Sequence, residues 1–172
     1  MSRPPLVVVF VAVLLIALGE LGGAVLSQLR PAVARWVAAR VAANPAAHGL
    51  SGSAEYDDAV REQVVFTAEA GLSFFHTHAE GVGLVLFFAA TLVASVVRGR
   101  AMRAVLHAML TAGALFPLGY LLYATAAVGL GRDAGVTLAE AWVLTPLGTT
   151  FVLGLVGLVV ALGRRPRPSP EA

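Results

Sequence analysis

The sequence predicts an all-α integral membrane protein, a bundle of four transmembrane helices. Hydrophobic residues make up 58% of the 172-residue chain and charged residues only 13%, whereas about 25% of the residues of a soluble domain are charged. The apolar residues fall into four blocks, each long enough to cross a bilayer, for which about 20 helical residues suffice. We therefore predict a single domain with spans at residues 5–28, 70–97, 104–128 and 142–163.

The first block has the position of a secretory signal peptide, but its apolar run is longer than the core of such a peptide. No A-x-A cleavage site follows it until Ala32 and Ala34, so we expect a retained helix. Glu20 lies late in this span, among glycines that allow a second helix to approach closely.

The connection after the first span, residues 29–69, is predicted to be helical as well. In "PAVARWVAARVAANP" the side chains of Val33, Trp36, Val37 and Val41 share one helical face, which predicts an interfacial helix. "HGLSGSAE" predicts a turn, and "YDDAVREQVVFTAEAG" a helix that continues into the second span. This segment forms either a structural lid or a surface for docking a partner.

Three ionisable side chains open the second span, in "FFHTHAEGVG" at residues 74–83. Helical residues four apart share a face, whereas residues two apart point about 200° away from each other. His76 and Glu80 are therefore expected on one face, and His78 on another.

Glu20 of the first span is expected at a depth similar to that of His76 and Glu80. A charged side chain at that depth costs at least about 2.5 kcal/mol, so the three groups should face the bundle interior, pair or be neutral. The simplest packing places the glycine-rich face of the first span against the His76 and Glu80 face of the second. These residues are the candidate site.

The third and fourth spans contain fewer residues that indicate a site or a special structural feature. Pro117, with glycines nearby, predicts a kink in the third span. Pro146 falls in the first turn of the fourth, where proline is tolerated. His107 lies about 20 Å from His76 along the bilayer normal, so it is interpreted as an interfacial or hydrogen-bonding histidine, or as a second cofactor ligand.

The distribution of charged residues predicts how the protein is oriented in the membrane. All twelve basic residues are arginines. Six of them lie in the short second connection and in the tail, residues 164–172, and the positive-inside rule places these segments in the cytoplasm, whereas the longer first connection has arginines together with acidic residues. We expect an N-in/C-in protein of a bacterial-type cytoplasmic membrane, with its helical first connection on the extracytoplasmic side.

Several kinds of chemistry find no support in the sequence. The chain has no cysteine, so disulfides and thiolate ligands are excluded. No G-x-S-x-G or H-E-x-x-H motif appears, and no strand precedes the glycine-rich turn "GLGRDAG". No nucleic-acid partner is expected, and a redox or accessory subunit fits the sequence better than a stand-alone enzyme.

The segment "FFHTHAEGVGLVLFF" resembles the second membrane helix of haem-copper oxidase catalytic subunits and their small relatives. In that family a histidine near the outer end, often in an H-x-H run before a glycine and an apolar tail, ligates the low-spin haem. The resemblance implies that His76 or His78 binds haem b in electron transfer. The family supplies its second axial histidine from later helices, for which this chain has no counterpart. An apolar wall suited to a porphyrin is offered by Phe74, Phe75, Phe87 and Phe88.

Three other interpretations stay open. A transition-metal ion such as Cu, Fe or Zn would find nitrogen and oxygen ligands in His76, Glu80, Glu20 and His78. A histidine and glutamate pair is also suited to accept protons, for example from a quinol. Alternatively, the polar cluster only fixes helix register in an accessory subunit. The expected partners are the lipid bilayer and other membrane subunits, or further copies of this chain.

Overall fold

The computed structural model describes residues 3–164, and that part of the chain is mostly helical, without a β-strand. A π-helical turn, Glu140–Leu144, joins the last two helices. In chain order the α-helices are α1 (Leu6–Ala43), α2 (Pro45–His48), α3 (Ala54–Val96), α4 (Arg100–Gly113), α5 (Leu118–Leu130), α6 (Arg132–Ala139) and α7 (Thr145–Gly163).

Four helical stretches are long and apolar enough to cross a membrane, each with an 18-residue window of mean hydropathy 1.6 or more. Each overlaps one of the four predicted blocks and most of them extend beyond it, so the all-α prediction with four such helices is confirmed. The N-in/C-in orientation and the cytoplasmic membrane stay predictions. Of the predicted tail, all residues after Arg164 lie outside the described residues. The four stretches are Leu6–Ala43, Ala54–Val96, Arg100–Leu130 and Arg132–Gly163.

The predicted separate interfacial helix is wrong, because α1 continues through Pro31 to Ala43 as one helix of 38 residues. Proline removes one backbone donor, but packing against α3 holds this part of α1 in place. Val37 and Val41 are 1% and 0% exposed and belong to a small core with Val64 of α3. The shared valine face was predicted correctly, but it covers a neighbouring helix.

The main core lies where α1, α3, α4 and α7 meet. Its largest fully buried side chains are leucines, among them Leu15, Leu86 and Leu110. Along α3, every buried residue from Val82 to the end of the helix is apolar or glycine. The polar side chains of the candidate site are therefore separated from the opposite end of the bundle by a dry core.

That opposite end holds Arg3, the connection from α3 to α4, and Arg164, and it is called the arginine end below. At the other end, α1 and α3 extend beyond the apolar blocks, and this is called the extended end.

The third span is interrupted, as Pro117 predicted. The chain makes a turn over residues 114–117, between α4 and α5. The two halves take different partners, because α4 packs on α7 whereas α5 packs on α3 and α6. Gly113 permits the first contact, since a Cβ there would collide with the backbone of Phe151.

The short helix α2 caps the end of α5. Nε2 of His48 donates to the carbonyl of Val128 over 3.1 Å, and Nδ2 of Asn44 donates to the carbonyl of Gly129 over 3.3 Å. The last carbonyls of a helix lack partners within it. This segment of the first connection therefore supplies the hydrogen bonds that α5 cannot make itself.

Asp57 fixes the turn before α3. Its carboxylate accepts the backbone N–H of Ser51 over 2.8 Å and that of Gly52 over 3.1 Å. The side chain is only 7% exposed, and it lies in the first turn of α3, where the helix dipole also favours a negative charge. The predicted turn, and the helix that runs on into the second span, are both confirmed.

Candidate functional site

Glycines of α1 bring its backbone against α3 at the level of His76. A Cβ on Gly19 would lie 2.9 Å from Cγ of Glu80, and one on Gly23 would lie 2.7 Å from Cε1 of His76. Unstrained carbon atoms are separated by about 3.5 to 4.0 Å, so a larger residue would push the helices apart. The predicted packing of the glycine-rich face on the His76 and Glu80 face is confirmed.

The imidazole of His76 connects the two helices. Its Nδ1 lies 3.0 Å from the backbone oxygen of Gly19, with the ring N–H directed at that oxygen. The same Nδ1 lies 2.5 Å from Oε1 of Glu80. That carboxylate oxygen is buried, and no hydrogen-bond donor in residues 3–164 is directed at it.

One nitrogen of His76 therefore faces two oxygen acceptors, although Nδ1 carries at most one hydrogen atom. With the proton on Nδ1, Gly19 accepts the hydrogen bond and Oε1 of Glu80 is left without a directed donor. If the hydrogen pointed at Oε1 instead, the Glu80 oxygen would be satisfied and the carbonyl of Gly19 would lose its donor. Nδ1 can therefore satisfy one of the two acceptors but not both.

A groove of about 860 Å³ runs along the seam between α1 and α3, from Arg30 to His76. Leu26, Phe66 and Phe74 contribute apolar wall. Glu20 also lines the groove, where it is exposed and hydrogen-bonds to no group in the described chain. It does not join the His76 and Glu80 pair in a hydrogen bond.

An ion pair stands at the upper end of the groove. Nη2 and Nε of Arg30 donate to Oε2 of Glu69 over 2.7 and 3.0 Å. The arginine side chain is 67% exposed and the glutamate side chain 14%. This pair was not predicted, because it depends on how α1 and α3 align. Once Gly19 is placed opposite Glu80, the antiparallel register brings residues 30 and 69 together.

Polar side chains follow one face of α3 downward, as predicted. Glu69, Ser73 and His76 all line the groove, and Glu80 follows one turn below His76. The stripe ends at Gly83, where a Cβ would lie 2.8 Å from the backbone oxygen of Ala12. The polar side of the seam therefore reaches from the extended end to the middle of the apolar block and stops there.

His78 points away from α1, as its helical phase predicted. Its ring packs against α5 and the preceding turn, with centroids 4.8 Å from Tyr120 and 5.8 Å from Phe116. Nδ1 donates to the carbonyl of Phe74 over 2.9 Å. This hydrogen bond fixes the orientation of the ring. It uses Nδ1 and not Nε2.

The phenylalanines suggested as a porphyrin wall do not form one surface. Phe75 is 3% exposed, with its ring against Gly22 of α1. Phe74 lines the groove, whereas Phe87 and Phe88 lie exposed further along α3. A planar ligand at His76 would contact Phe74 but not the other three.

The candidate metal ligands are divided between two faces. His76 and Glu80 lie on the seam and His78 faces α5, whereas Glu20 lines the groove without a hydrogen bond to either histidine in the described residues. Within residues 3–164 no group of three or more histidine, aspartate or glutamate side chains converges as a metal ion requires. A metal ion with three protein ligands would need at least one from outside the described residues, so the metal hypothesis stays a prediction.

The two remaining histidines lie outside the groove, at other sites in the fold. His48 caps α5, a role that sequence reasoning missed because its partner, Val128, is far away along the chain. His107 is 9% exposed and lines a cavity at the arginine end. It shares no site with His76, as its depth predicted.

Comparison with known proteins adds no further constraint. No protein-family model, curated protein or solved structure matches this chain. The resemblance of the second span to a haem-ligating helix therefore stays a prediction, and functional conclusions depend on the groove and the side chains that line it.

Proposed function

We propose that the protein is a membrane subunit that binds a quinol-type amphiphile in the groove between α1 and α3. The observation that supports this most directly is an apolar groove of about 860 Å³ with a carboxylate and an imidazole in its walls. Small-molecule sites are typically clefts of about 300 to 1,000 Å³, largely apolar, with a few polar groups that orient the ligand. The groove has both properties, and an amphiphile would enter it from the lipid.

The head of this ligand is a hydrogen-bond donor. Glu69 is already paired with Arg30, but Glu20 has no hydrogen-bond partner in the described residues. A carboxylate in the outer half of the bilayer is costly unless it is protonated or paired. A hydroxyl group of the ligand supplies the missing partner, and Arg30 and Glu69 then lie at the entrance on the extended end.

The His76 and Glu80 pair would receive a proton from the bound head. Oxidation of a quinol releases two protons and two electrons. The electrons pass to a redox-active partner subunit. One proton is taken up by the carboxylate of Glu80 through His76, and the other by the carboxylate of Glu20, which lines the groove. The stripe ends at Gly83, so the proton returns towards the extended end. This is one-sided proton handling and agrees with the electron-transfer role predicted from sequence.

The test is a binding titration of the purified protein in nanodiscs with a short-tailed benzoquinol. We expect saturable binding that Glu20→Gln and His76→Phe each weaken about tenfold, the effect of losing a hydrogen bond to a charged group. Glu140→Gln is the matched control, because Glu140 is exposed and lies outside the groove.

Two ligand controls make the test decisive. A benzoquinol whose hydroxyls are methylated keeps its shape but donates no hydrogen bond, and it should not bind. A lipophilic ammonium ion tests the other donor that would suit Glu20. Binding of the ammonium ion but not of the quinol would refute the proposal, as would equal losses in Glu20→Gln and Glu140→Gln.

Haem b is a second candidate, supported by the way both histidines are held. Nδ1 of His76 donates to Gly19 and Nδ1 of His78 donates to Phe74. Histidines that bind metals usually donate the other ring N–H to a carbonyl or carboxylate, as these do. Either Nε2 therefore fits a haem iron, with the second axial ligand from another chain. A bound haem would supply one-electron transfer.

A visible spectrum of the purified protein, reduced and oxidised, tests the haem candidate. If His78→Ala abolishes the Soret band and His76→Ala retains it, the haem ligand is His78. The reverse result would assign the ligand to His76. A colourless protein that still binds the quinol would rule out haem in this subunit and leave the groove proposal intact.

A further inference from the structure

A second cavity lies at the arginine end, far from the groove. It has a volume of about 250 Å³, and its charged and titratable lining consists of Arg3, Arg100, Arg103 and His107. Three chain segments meet there: the residues before α1, the last turns of α3 and the first turns of α4. The cavity is thus formed by the tertiary fold and not by one basic stretch of sequence.

The end of α4 adds a further attraction for an anion. Gly99 precedes the helix, no side chain caps it, and no acidic residue lies in its first turn. The first backbone N–H groups of a helix lack internal partners and carry the positive end of the helix dipole. Oxyanions therefore bind favourably at such a position when basic side chains surround it.

A buried polar atom lies in the same place. His107 lines the cavity and is only 9% exposed, and its Nδ1 has no hydrogen-bond partner among residues 3–164. Buried polar side-chain atoms generally have a partner in a folded protein. An oxyanion, or water held by one, would supply a partner here.

No acidic residue of the described chain lies near this charge. The sequence has no aspartate or glutamate before Glu20, none between Glu80 and Asp133, and none from 141 to 164. Glu80 is 16 residues from the end of α3, a distance of about 24 Å along the helix. Within the described chain, the arginine end therefore contains guanidinium groups and no carboxylate.

We propose that this cavity binds a phosphate ester, the phosphodiester head of an anionic phospholipid in the cytoplasmic leaflet. Guanidinium groups donate paired hydrogen bonds to phosphate oxygens. The cavity opens beside the N-terminal turn of α1 and the start of α4, where lipid head groups meet both helices in the predicted orientation. This site is independent of the groove and of the function proposed for it.

The test compares ligands that share the phosphate but differ in the rest. The protein in neutral detergent is titrated with short-chain phosphatidylglycerol, with phosphatidylcholine and with inorganic phosphate, at physiological ionic strength. We expect saturable binding of phosphatidylglycerol, weakened about tenfold by Arg100→Gln. Binding of inorganic phosphate but not of phosphatidylglycerol would overturn the lipid assignment.

Arg98→Gln is the matched control. Arg98 lies two residues before Arg100, is exposed, and does not line the cavity. An exposed guanidinium that does not line the cavity contributes only an interaction weakened by solvent and salt, so affinity should change much less than in Arg100→Gln. Equal losses in the two variants would show attraction to the whole basic surface and overturn the proposal. Arg3→Gln, which precedes α1, gives a second test should Arg100→Gln fail to fold.

Discussion

A single methyl group on α3 should separate α1 from α3 and break the contact that holds His76. In Gly83→Ala the new Cβ would lie 2.7 Å from Cγ1 of Ile16 and 2.8 Å from the backbone oxygen of Ala12. Close carbon-to-oxygen contacts lie at about 3.3 to 3.6 Å. The helices must therefore move apart by about 0.5 Å, because a backbone oxygen cannot rotate away.

The matched control is Gly81→Ala, two residues earlier in the same helix, where a Cβ meets nothing within 4 Å. Both substitutions gain the same helix propensity, about 1 kcal/mol, so that gain cancels in the comparison. Overpacking costs about 1 to 3 kcal/mol. We expect Gly83→Ala to have an unfolding free energy about 2 kcal/mol below that of Gly81→Ala.

The assay is unfolding of the purified protein in mixed micelles with increasing denaturing detergent, followed by circular dichroism. The hydrogen bond from His76 to Gly19 gives a second reading, because 0.5 Å of separation would stretch it from 3.0 Å to about 3.5 Å, beyond the normal range. The imidazole N–H resonance of His76 should then move upfield. Equal stability of the two alanine variants would refute the close packing of α1 on α3.

Two further predictions concern the extended end. Asp57→Ala should lower the unfolding free energy by about 2 kcal/mol, because two backbone N–H groups lose a charged acceptor. An unaltered melting curve would contradict this. Asp58→Ala, which removes an exposed carboxylate, is the control. His48→Leu should cost about 1 to 3 kcal/mol by leaving the carbonyl of Val128 without its donor. Limited trypsin digestion should then cleave after Arg132 faster than in the unaltered protein, and equal rates would argue against the cap.

Helical phase was enough to predict the main features of the candidate site. The spacing of His76, His78 and Glu80 fixes which side chains share a face, and glycines mark where α1 approaches. These signals are local, because they depend only on positions within one helix. The four apolar blocks were visible for the same reason.

The missed features depend on contacts between distant parts of the chain. An interfacial helix separate from the first span was predicted, but packing of α1 on α3 keeps α1 continuous through Pro31. The cap that His48 makes on α5 and the cavity around His107 need the positions of segments far apart in sequence. A local sequence pattern does not show how close such segments lie in the folded protein.

Because α1 is unbroken at Pro31, its length determines how far the first connection extends beyond the apolar spans. Between residue 28 and Ala43, α1 rises about 22 Å, and α3 rises about 24 Å between Ala54 and residue 70. The lipid head groups beyond the hydrocarbon occupy about 5 to 8 Å on each side. With α1 and α3 spanning the bilayer, the tip around α2 would stand about 15 Å clear of the membrane. A partner that docks on this rigid spacer would be held at that distance and would not rest on the lipid.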